Sequence, residues 1–235
     1  MSISENVASI KQRIEAAAIA AGRDPSAIKL CAATKMNNSE AVREAIRAGV
    51  DLCGENRVQE LSAKLADKAY DGVPIHFIGQ LQTNKVKQVV GKVDLIQSVD
   101  RMKLLRSVQD EAERQGICQD ILLEINIGAE ESKGGFRKEG IWEVLNVLPK
   151  MPNVRVKGLM AIPPISQNPG DNRKFFQEMC NLSVDITEKR SDNVCMEILS
   201  MGMSDDFADA IACGSTMIRV GTAIFGPRNY TESHP

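Results

Sequence analysis

Two basic residues lie in apolar parts of the chain, where a charged side chain is unusual. Lys35 follows the apolar segment KLCAAT, and Arg219 is the one charged residue within TMIRVGTAIF. A lysine at the end of a buried strand is partly desolvated, which lowers its pKa and suits it to Schiff-base formation. The alternative is an ordinary solvated or ion-paired lysine. A guanidinium in a buried segment must face a ligand or pair with a carboxylate, for which Glu197 and Glu124 are candidates.

Two segments that contain glycine and hydroxyl side chains indicate an anion-binding site. SMGMSDD (200–206) precedes a predicted helix that begins near Ser204, and VGTAIFG (220–226) follows a predicted strand. Backbone N–H groups at helix starts bind phosphate, and barrels commonly hold a phosphate after their last two strands. Asp205 and Asp206 would repel a phosphate unless their side chains point outward as helix caps.

His76 is the only histidine before residue 234. A hydrogen-bonded histidine of a strand and a site residue are equally good interpretations of it. No Cys or His cluster has the spacing of zinc ligands, so no metal site is predicted. The GxSxG motif of a serine hydrolase is absent.

An amine, a buried arginine and a phosphate site together suit a phosphorylated aldehyde bound as an imine. Pyridoxal 5′-phosphate (PLP) is the obvious cofactor of this type. An arginine beside the pyridine nitrogen would keep that nitrogen unprotonated, which makes the ring a weaker electron acceptor. The sequence therefore predicts a PLP site formed by Lys35, Arg219 and the two glycine-containing segments.

The elements that would position these residues alternate along the chain. Helical patterns separate eight apolar, β-rich runs, which lie at 28–34, 50–54, 75–79, 93–99, 120–127, 154–162, 195–200 and 217–221. Strands that are apolar on both faces indicate a parallel sheet covered by helices, and eight such units suit an α/β fold of the (β/α)₈ TIM-barrel type. An open doubly wound sheet is the competitor, but Lys35-Met36-Asn37-Asn38 stands where its glycine-rich turn would be.

The predicted architecture is a single domain over 1–235. An N-terminal helix of about 3–21 opens with the capping-box pattern Ser2-x-x-Glu5, and eight βα units cover about 28–226. The segment 163–172, rich in Pro, Gly and Asn, is the expected flexible loop.

Composition excludes several classes of protein. The 29 Lys and Arg against 31 Asp and Glu give a net charge of −2, which does not favour nucleic-acid or anionic-membrane binding. No apolar run reaches the roughly 20 residues of a membrane span, and no signal peptide is visible. Six cysteines without a CxxC pair indicate thiols in a reducing, cytoplasmic compartment. No heptad pattern or large apolar stripe is present, so a monomer is expected.

Several blocks in order resemble the pyridoxal phosphate homeostasis protein family over about residues 5–230. They are GENRVQE (54–60), HFIGQLQTNK (76–85), INI…ESKGGF (125–136), GLMAIPP (158–164), LSMGMSDDF (199–207) and GSTMIRVGTAIFG (214–226). The resemblance implies a barrel like the N-terminal domain of fold-type III PLP enzymes. It assigns the Schiff base to Lys35, the pyridine-nitrogen contact to Arg219, and phosphate contacts to Ser200, Gly221 and Thr222. It also implies that Asn56, His76, Met160 and Met203 line the cofactor.

The loop after Lys35 departs from the family pattern. The family usually has Ser-Lys-Thr-Lys-Pro here, whereas this chain has Thr34-Lys35-Met36-Asn37-Asn38. A second lysine and a proline are missing, so a more mobile loop is expected, and a role of that second lysine in PLP transfer does not carry over. Arg57 replaces the tyrosine that is common after GEN.

The leading functional prediction is a PLP-binding protein of PLP (vitamin B6) and amino-acid homeostasis. It would hold PLP as an internal aldimine on Lys35 without catalytic turnover, with PLP-dependent apoenzymes as recipients. The alternative is an amino-acid racemase or decarboxylase of the alanine racemase type; a cofactor-free aldolase would leave Arg219 unexplained. Racemisation needs acid–base groups on both faces of the cofactor. The chain ends about ten residues after GTAIFG, too few for the C-terminal domain that supplies the second group, so we expect a binding protein.

Overall fold

Eight parallel strands close into a barrel in the computed structural model, which describes residues 1–130, 133–165, 168–189 and 192–226. Each strand pairs with its neighbours in chain order, and β1 also pairs with β8, so the sheet has no open edge. The strands are β1 (Lys29–Ala33), β2 (Leu52–Glu55), β3 (Ile75–Phe77), β4 (Leu95–Val99), β5 (Gln119–Ile125), β6 (Val154–Ala161), β7 (Val194–Ser200) and β8 (Met217–Val220). The (β/α)₈ prediction is confirmed, and the open doubly wound sheet is excluded.

Helices cover the outside of this barrel. They are α1 (Ile3–Ala20), α2 (Ser39–Arg47), α3 (Val58–Ala66), α4 (Met102–Gln115), α5 (Ile141–Val147), α6 (Arg173–Glu188), α7 (Phe207–Ala212) and α8 (Thr222–Phe225). Between β3 and β4 the chain forms a 3₁₀ segment, Thr83–Gln88, where the sequence predicted a helix. The helix predicted near Ser204 begins only at Phe207, because residues 203–206 form a turn in which the Asp206 N–H donates to the Met203 carbonyl. Part of the loop predicted at 163–172 lies outside the described residues.

Side chains alternate between the two faces of each strand and so form two separate cores. Every second residue of a strand packs against the helices, and the residues between them point into the barrel. Inside the barrel, one cluster contains Leu95, Leu122 and Met160, and a second contains Cys31, Leu52 and Met217. These apolar layers fill the interior, so the barrel is a closed core and not a pore.

The N-terminal helix packs against the outside of the barrel beside its last units. Ser2 and Glu5 form the predicted capping box, and Val7, Ile10, Ile14 and Ala18 form the buried face. The helix contacts α2, α7 and α8, and the Asn6 amide donates to the Ile224 carbonyl over 2.8 Å. This packing brings Arg13 to the C-terminal end of the barrel.

Within the described ranges, no helix is long and apolar enough to cross a bilayer. All six cysteines are unpaired thiols, and Cys31 and Cys53 are buried.

Candidate functional site

A cavity of about 860 Å³ opens at the C-terminal ends of the strands. Of the nine site residues that the sequence predicted, six line it: Lys35, Asn56, Met203, Arg219, Gly221 and Thr222. The other three, His76, Met160 and Ser200, are buried inside the barrel and do not line the cavity. Direct contact between these three side chains and a cofactor stays a prediction of the family resemblance.

Lys35 enters the cavity from the end of β1. The loop that follows it has several hydrogen bonds, although it lacks the family's proline. The Asn37 amide donates to the Lys35 carbonyl over 2.9 Å, and the Asn38 side chain accepts from the Ala41 N–H over 2.9 Å as the N-cap of α2. Each asparagine therefore restrains a part of the loop that was expected to be mobile.

Arg219 on β8 is a buried cation held by neutral oxygens. It is 5% exposed, and its Nη1 donates to Ser200 Oγ over 2.6 Å while its Nη2 donates to the Ala161 carbonyl over 2.9 Å. Burial lowers the pKa of the guanidinium, and the nearby Glu124 charge opposes this shift. No ion pair of Arg219 occurs in the described part of the chain, so the structure does not support the alternative of a pair with Glu197 or Glu124.

The two carboxylates have other surroundings. Glu197 is exposed and pairs with Lys157 Nζ over 2.5 Å. Glu124 is half-buried. Its desolvation, together with the charge of Asp100, raises its pKa to about 7, although the charge of Arg219 acts in the opposite direction. A carboxylate that formed an ion pair with Arg219 would have a lowered pKa. Arg219 therefore remains available to a ligand in the cavity that it lines.

A chain of buried hydrogen bonds runs from Arg219 to His76. A guanidinium only donates, so the Ser200 hydroxyl must accept from it and donates its own hydrogen to Gln97 Oε1 over 2.7 Å. Gln97 Nε2 then donates to His76 Nδ1 over 2.8 Å, which places the imidazole hydrogen on Nε2. Burial lowers the pKa of His76 to about 4, so the ring is neutral. His76 is thus a hydrogen-bonded strand histidine that supports Arg219 through two side chains.

The two glycine-containing segments meet at one side of the cavity. The Arg219 N–H donates to the Gly202 carbonyl over 3.0 Å, which joins β8 to the loop after β7. At Gly202, with φ +94°, a Cβ would lie 2.6 Å from the Cβ of Ala210, so only glycine fits this turn. Ser204, Gly221 and Thr222 line the cavity at the start of α8, where the Thr222 and Ala223 N–H groups have no partner within the helix.

Two acidic residues and one arginine lie at or near this side of the cavity. Asp206 turns toward the protein, where it accepts from the Met203 N–H over 2.7 Å and from Asn172 Nδ2 over 2.8 Å. Asp205 remains at the cavity wall. Arg13 also lines the cavity, with its guanidinium 4.6 Å from the centre of the Phe207 ring. Sequence reasoning missed Arg13, because it lies on the exposed face of an amphipathic helix.

Asn56 lines the cavity and has one polar atom without a partner among the described residues. Its Oδ1 is buried and accepts no hydrogen bond from the described residues. The Asn56 backbone packs against Gly79, where a Cβ would lie 2.1 Å from the Asn56 carbonyl oxygen, so the position is fixed. A lysine amine, a buried guanidinium, helix-start N–H groups and an open acceptor fit a phosphorylated aldehyde with a polar ring. In the described ranges, no three His, Cys, Asp or Glu side chains converge as a metal site requires.

The family model of the alanine racemase N-terminal domain matches residues 2–229. The pyridoxal phosphate homeostasis protein of Aquifex aeolicus is 43% identical over 230 residues, which are 98% of this chain and 100% of that protein. The protein of the same name from Escherichia coli K12 is 36% identical over 98% of both chains. The chain belongs to the pyridoxal phosphate homeostasis protein family.

Solved structures give the same fold. The PLP-bound structure of PipY from Synechococcus elongatus PCC7942 is 30% identical, covers 96% of this chain and 100% of its own, and has a TM-score of 0.83. An alanine racemase of Clostridium difficile 630 is 15% identical, has a TM-score of 0.72, and matches 97% of this chain with 57% of its own. At that identity the likeness to the racemase concerns the fold alone.

Proposed function

We propose that this chain binds PLP in PLP (vitamin B6) and amino-acid homeostasis, with Lys35 as the Schiff-base lysine and without catalytic turnover. The observation that carries the proposal is the buried Arg219, which faces the same cavity as Lys35 and has no carboxylate partner among the described residues. Relatives that are named pyridoxal phosphate homeostasis proteins, and the PLP-bound structure of PipY, support it.

Each end of the cofactor has a matching group in the cavity. Lys35 would supply the amine that binds the aldehyde. Ser204, Thr222 and the Thr222 and Ala223 N–H groups at the start of α8 would bind the phosphate. Arg219 would donate to the pyridine nitrogen, and Asn56 would lie beside the bound cofactor.

The arginine would also set the protonation state of the cofactor's ring. When bound, PLP supplies an electron-withdrawing ring, and that property is strongest when its nitrogen is protonated. Arg219 only donates hydrogen bonds, so the ring nitrogen must accept and stays unprotonated. This weakens the stabilisation of carbanions that a racemase or decarboxylase needs.

Borohydride trapping tests the assignment of Lys35. Protein loaded with PLP should be yellow, and reduction should bleach the colour and leave a pyridoxyl group covalently bound to the peptide that contains Lys35. Lys35→Ala should abolish this covalent labelling. Lys29→Ala is the matched control, because Lys29 is an exposed lysine at the opposite end of the same strand. Trapping on another lysine, or protein that takes up no PLP, would contradict the proposal.

Carrier and enzyme are separated by assays on the loaded protein. We expect no racemisation or decarboxylation of common amino acids, and we expect transfer of PLP to a PLP-dependent apoenzyme. Turnover that Lys35→Ala abolishes would instead favour the enzyme.

The proposed cytoplasmic location rests on the six unpaired thiols. The monomeric state stays a prediction, which light scattering tests.

A further inference from the structure

A lysine of α3 holds the backbone on one side of Lys35. Lys64 is 5% exposed, and its Nζ contacts Glu55 Oε2 at 2.6 Å, the Thr34 carbonyl oxygen at 2.8 Å and Glu60 Oε2 at 3.2 Å. An ammonium has three N–H donors, so protein oxygens use all of them. The peptide group before Lys35 is therefore fixed through its oxygen.

The same helix holds the backbone on the other side of Lys35. Glu60 lies one turn before Lys64, and its Oε2 accepts from the Met36 N–H over 2.6 Å. Met36 has φ +60°, a left-handed conformation that is unfavourable for methionine and persists only where surrounding groups hold it. The peptide group after Lys35 is therefore fixed through its N–H, by the same oxygen atom that contacts Lys64.

Buried groups make this arrangement rigid. Glu55 is fully buried, and its Oε2 also accepts from Thr34 Oγ1 over 3.1 Å and from the Tyr70 hydroxyl over 3.2 Å. Lys64 thus cannot move without leaving a buried carboxylate unpaired, which is costly. Neither Glu60 nor Lys64 lines the cavity.

We propose that Glu60 and Lys64 are positioning residues for the Schiff base. These two side chains, here called the Glu60–Lys64 clamp, hold both peptide groups that flank Lys35 and so keep its amine directed into the cavity. The inference rests on the proposed function, because it assigns Lys35 to the aldehyde. Preorganisation of a reacting group lowers the entropic cost of bond formation. The clamp therefore strengthens imine formation and leaves the binding of the ring and phosphate unchanged.

The experiment compares two ligands in variants of Glu60. PLP binds through ring, phosphate and aldehyde, whereas 4-deoxypyridoxine 5′-phosphate has no aldehyde. Glu60→Ala removes the acceptor of a charge-assisted hydrogen bond, so it should weaken PLP binding about tenfold. Affinity for the deoxy analogue should stay within about twofold of wild type. Glu60→Gln keeps an acceptor for the Met36 N–H and should restore most of the PLP affinity.

The matched control is Glu40→Ala, which removes an exposed carboxylate of α2 that pairs with Arg43 and Arg47 and touches neither flank of Lys35. Its affinities for both ligands should equal those of wild type. Equal weakening of PLP and of the analogue in Glu60→Ala would overturn the clamp, because the defect would then lie in the whole pocket. Unchanged PLP affinity in that variant would overturn it as well.

A measurement on apo-protein separates this inference from the proposed function. Hydrogen exchange of the Met36 amide should be faster in Glu60→Ala than in wild type and in Glu40→Ala. If wild type binds neither ligand, the proposed function fails, and faster exchange would still establish that Glu60 holds the lysine loop. Unchanged exchange would overturn the clamp whatever the ligand data show.

Discussion

Lys64 and Arg219 are two buried cations with the same exposure, 5%, and opposite surroundings. Lys64 forms ion pairs with Glu55 and Glu60 and donates to a backbone carbonyl. Arg219 donates to one hydroxyl and one carbonyl, and it faces the cavity. Burial of a charge is costly unless a partner compensates it. The compensation of Lys64 comes from carboxylates of the protein, whereas Arg219 has no carboxylate partner among the described residues.

This difference is the one we expect between a cation that holds the fold and one that is proposed to hold a ligand. The sign of the charge and the burial are alike in the two cases, so neither reveals the function. What distinguishes them is whether the donors of each side chain end on carboxylates of the same chain. Substitution of either cation, or of a charged residue near one of them, therefore tests whether the free energy of unfolding or the affinity for a ligand changes.

Lys64→Met should have the largest effect. It leaves the fully buried Glu55 carboxylate without its ammonium partner, which typically costs about 3–5 kcal/mol of unfolding free energy. Urea denaturation of the apo-protein measures this loss. Arg43→Met, which removes ion pairs with the exposed Glu40 and Asp67 and one hydrogen bond to the Asp67 carbonyl, is the control and should change stability by about 1 kcal/mol or less. A loss in Lys64→Met as small as that of the control would remove the contrast between the two cations.

Glu124→Gln tests whether Arg219 truly lacks a carboxylate partner. The folded-state pKa of Glu124 is raised from 4.5 to about 7 by burial and by Asp100. Between these values the folded protein binds more protons than the unfolded chain, so stability from this group is complete below the lower pKa and falls as pH rises. The loss amounts to at most about 3 kcal/mol.

The variant should therefore equal wild type near the unfolded-state pKa of Glu124 and exceed it in stability at pH values above about 7. Urea denaturation of both proteins across this range measures the difference, in which the titration of carboxylates that do not interact with Glu124 cancels. Destabilisation of Glu124→Gln at the alkaline end would instead reveal an ion pair with Arg219.

The sequence predicted the barrel and the two basic site residues because their signals are local. Apolar runs mark each strand, and Lys35 and Arg219 are charges beside or within such runs. The sequence did not reveal the partners of Arg219, since pairing across a barrel depends on register. The inward direction of Gln97 could have been predicted, because residues i and i+2 of a strand point to the same face. Gln97 lies two residues after Leu95, and both point into the barrel.

The Glu60–Lys64 clamp could not be predicted in the same way. Glu60 and Lys64 are four residues apart on a helix, the spacing of a common solvent-exposed ion pair. Only the close approach of α3 to the end of β1 buries Lys64 and brings both side chains to the Lys35 loop. Arg13 shows the same limit, because the packing of α1 beside α8 places it at the cavity.

Arg219→Met should affect ligand affinity more than stability. The substitution removes a buried charge together with two hydrogen bonds to neutral oxygens, so the apo-protein should change by about 1 kcal/mol or less. Affinity for PLP should fall about 10- to 100-fold, because a charged donor to the ring is lost. Urea denaturation and absorbance titration measure the two effects. Destabilisation comparable to that of Lys64→Met would mean that Arg219, too, holds the fold.

Arg13→Gln should have the smallest effect, since the guanidinium is exposed at the edge of the cavity. An exposed charge contributes about 0.2–1 kcal/mol, so the dissociation constant for PLP should rise at most about fivefold. At 1 M salt the Debye length is only about 3 Å, and the difference from wild type should disappear there. Arg106→Gln on α4, an exposed arginine that does not line the cavity, is the control. An Arg13 effect that persists at high salt would show that this residue contacts the ligand directly. Arg13 would then resemble Arg219, and not Lys64, as a cation that binds a ligand.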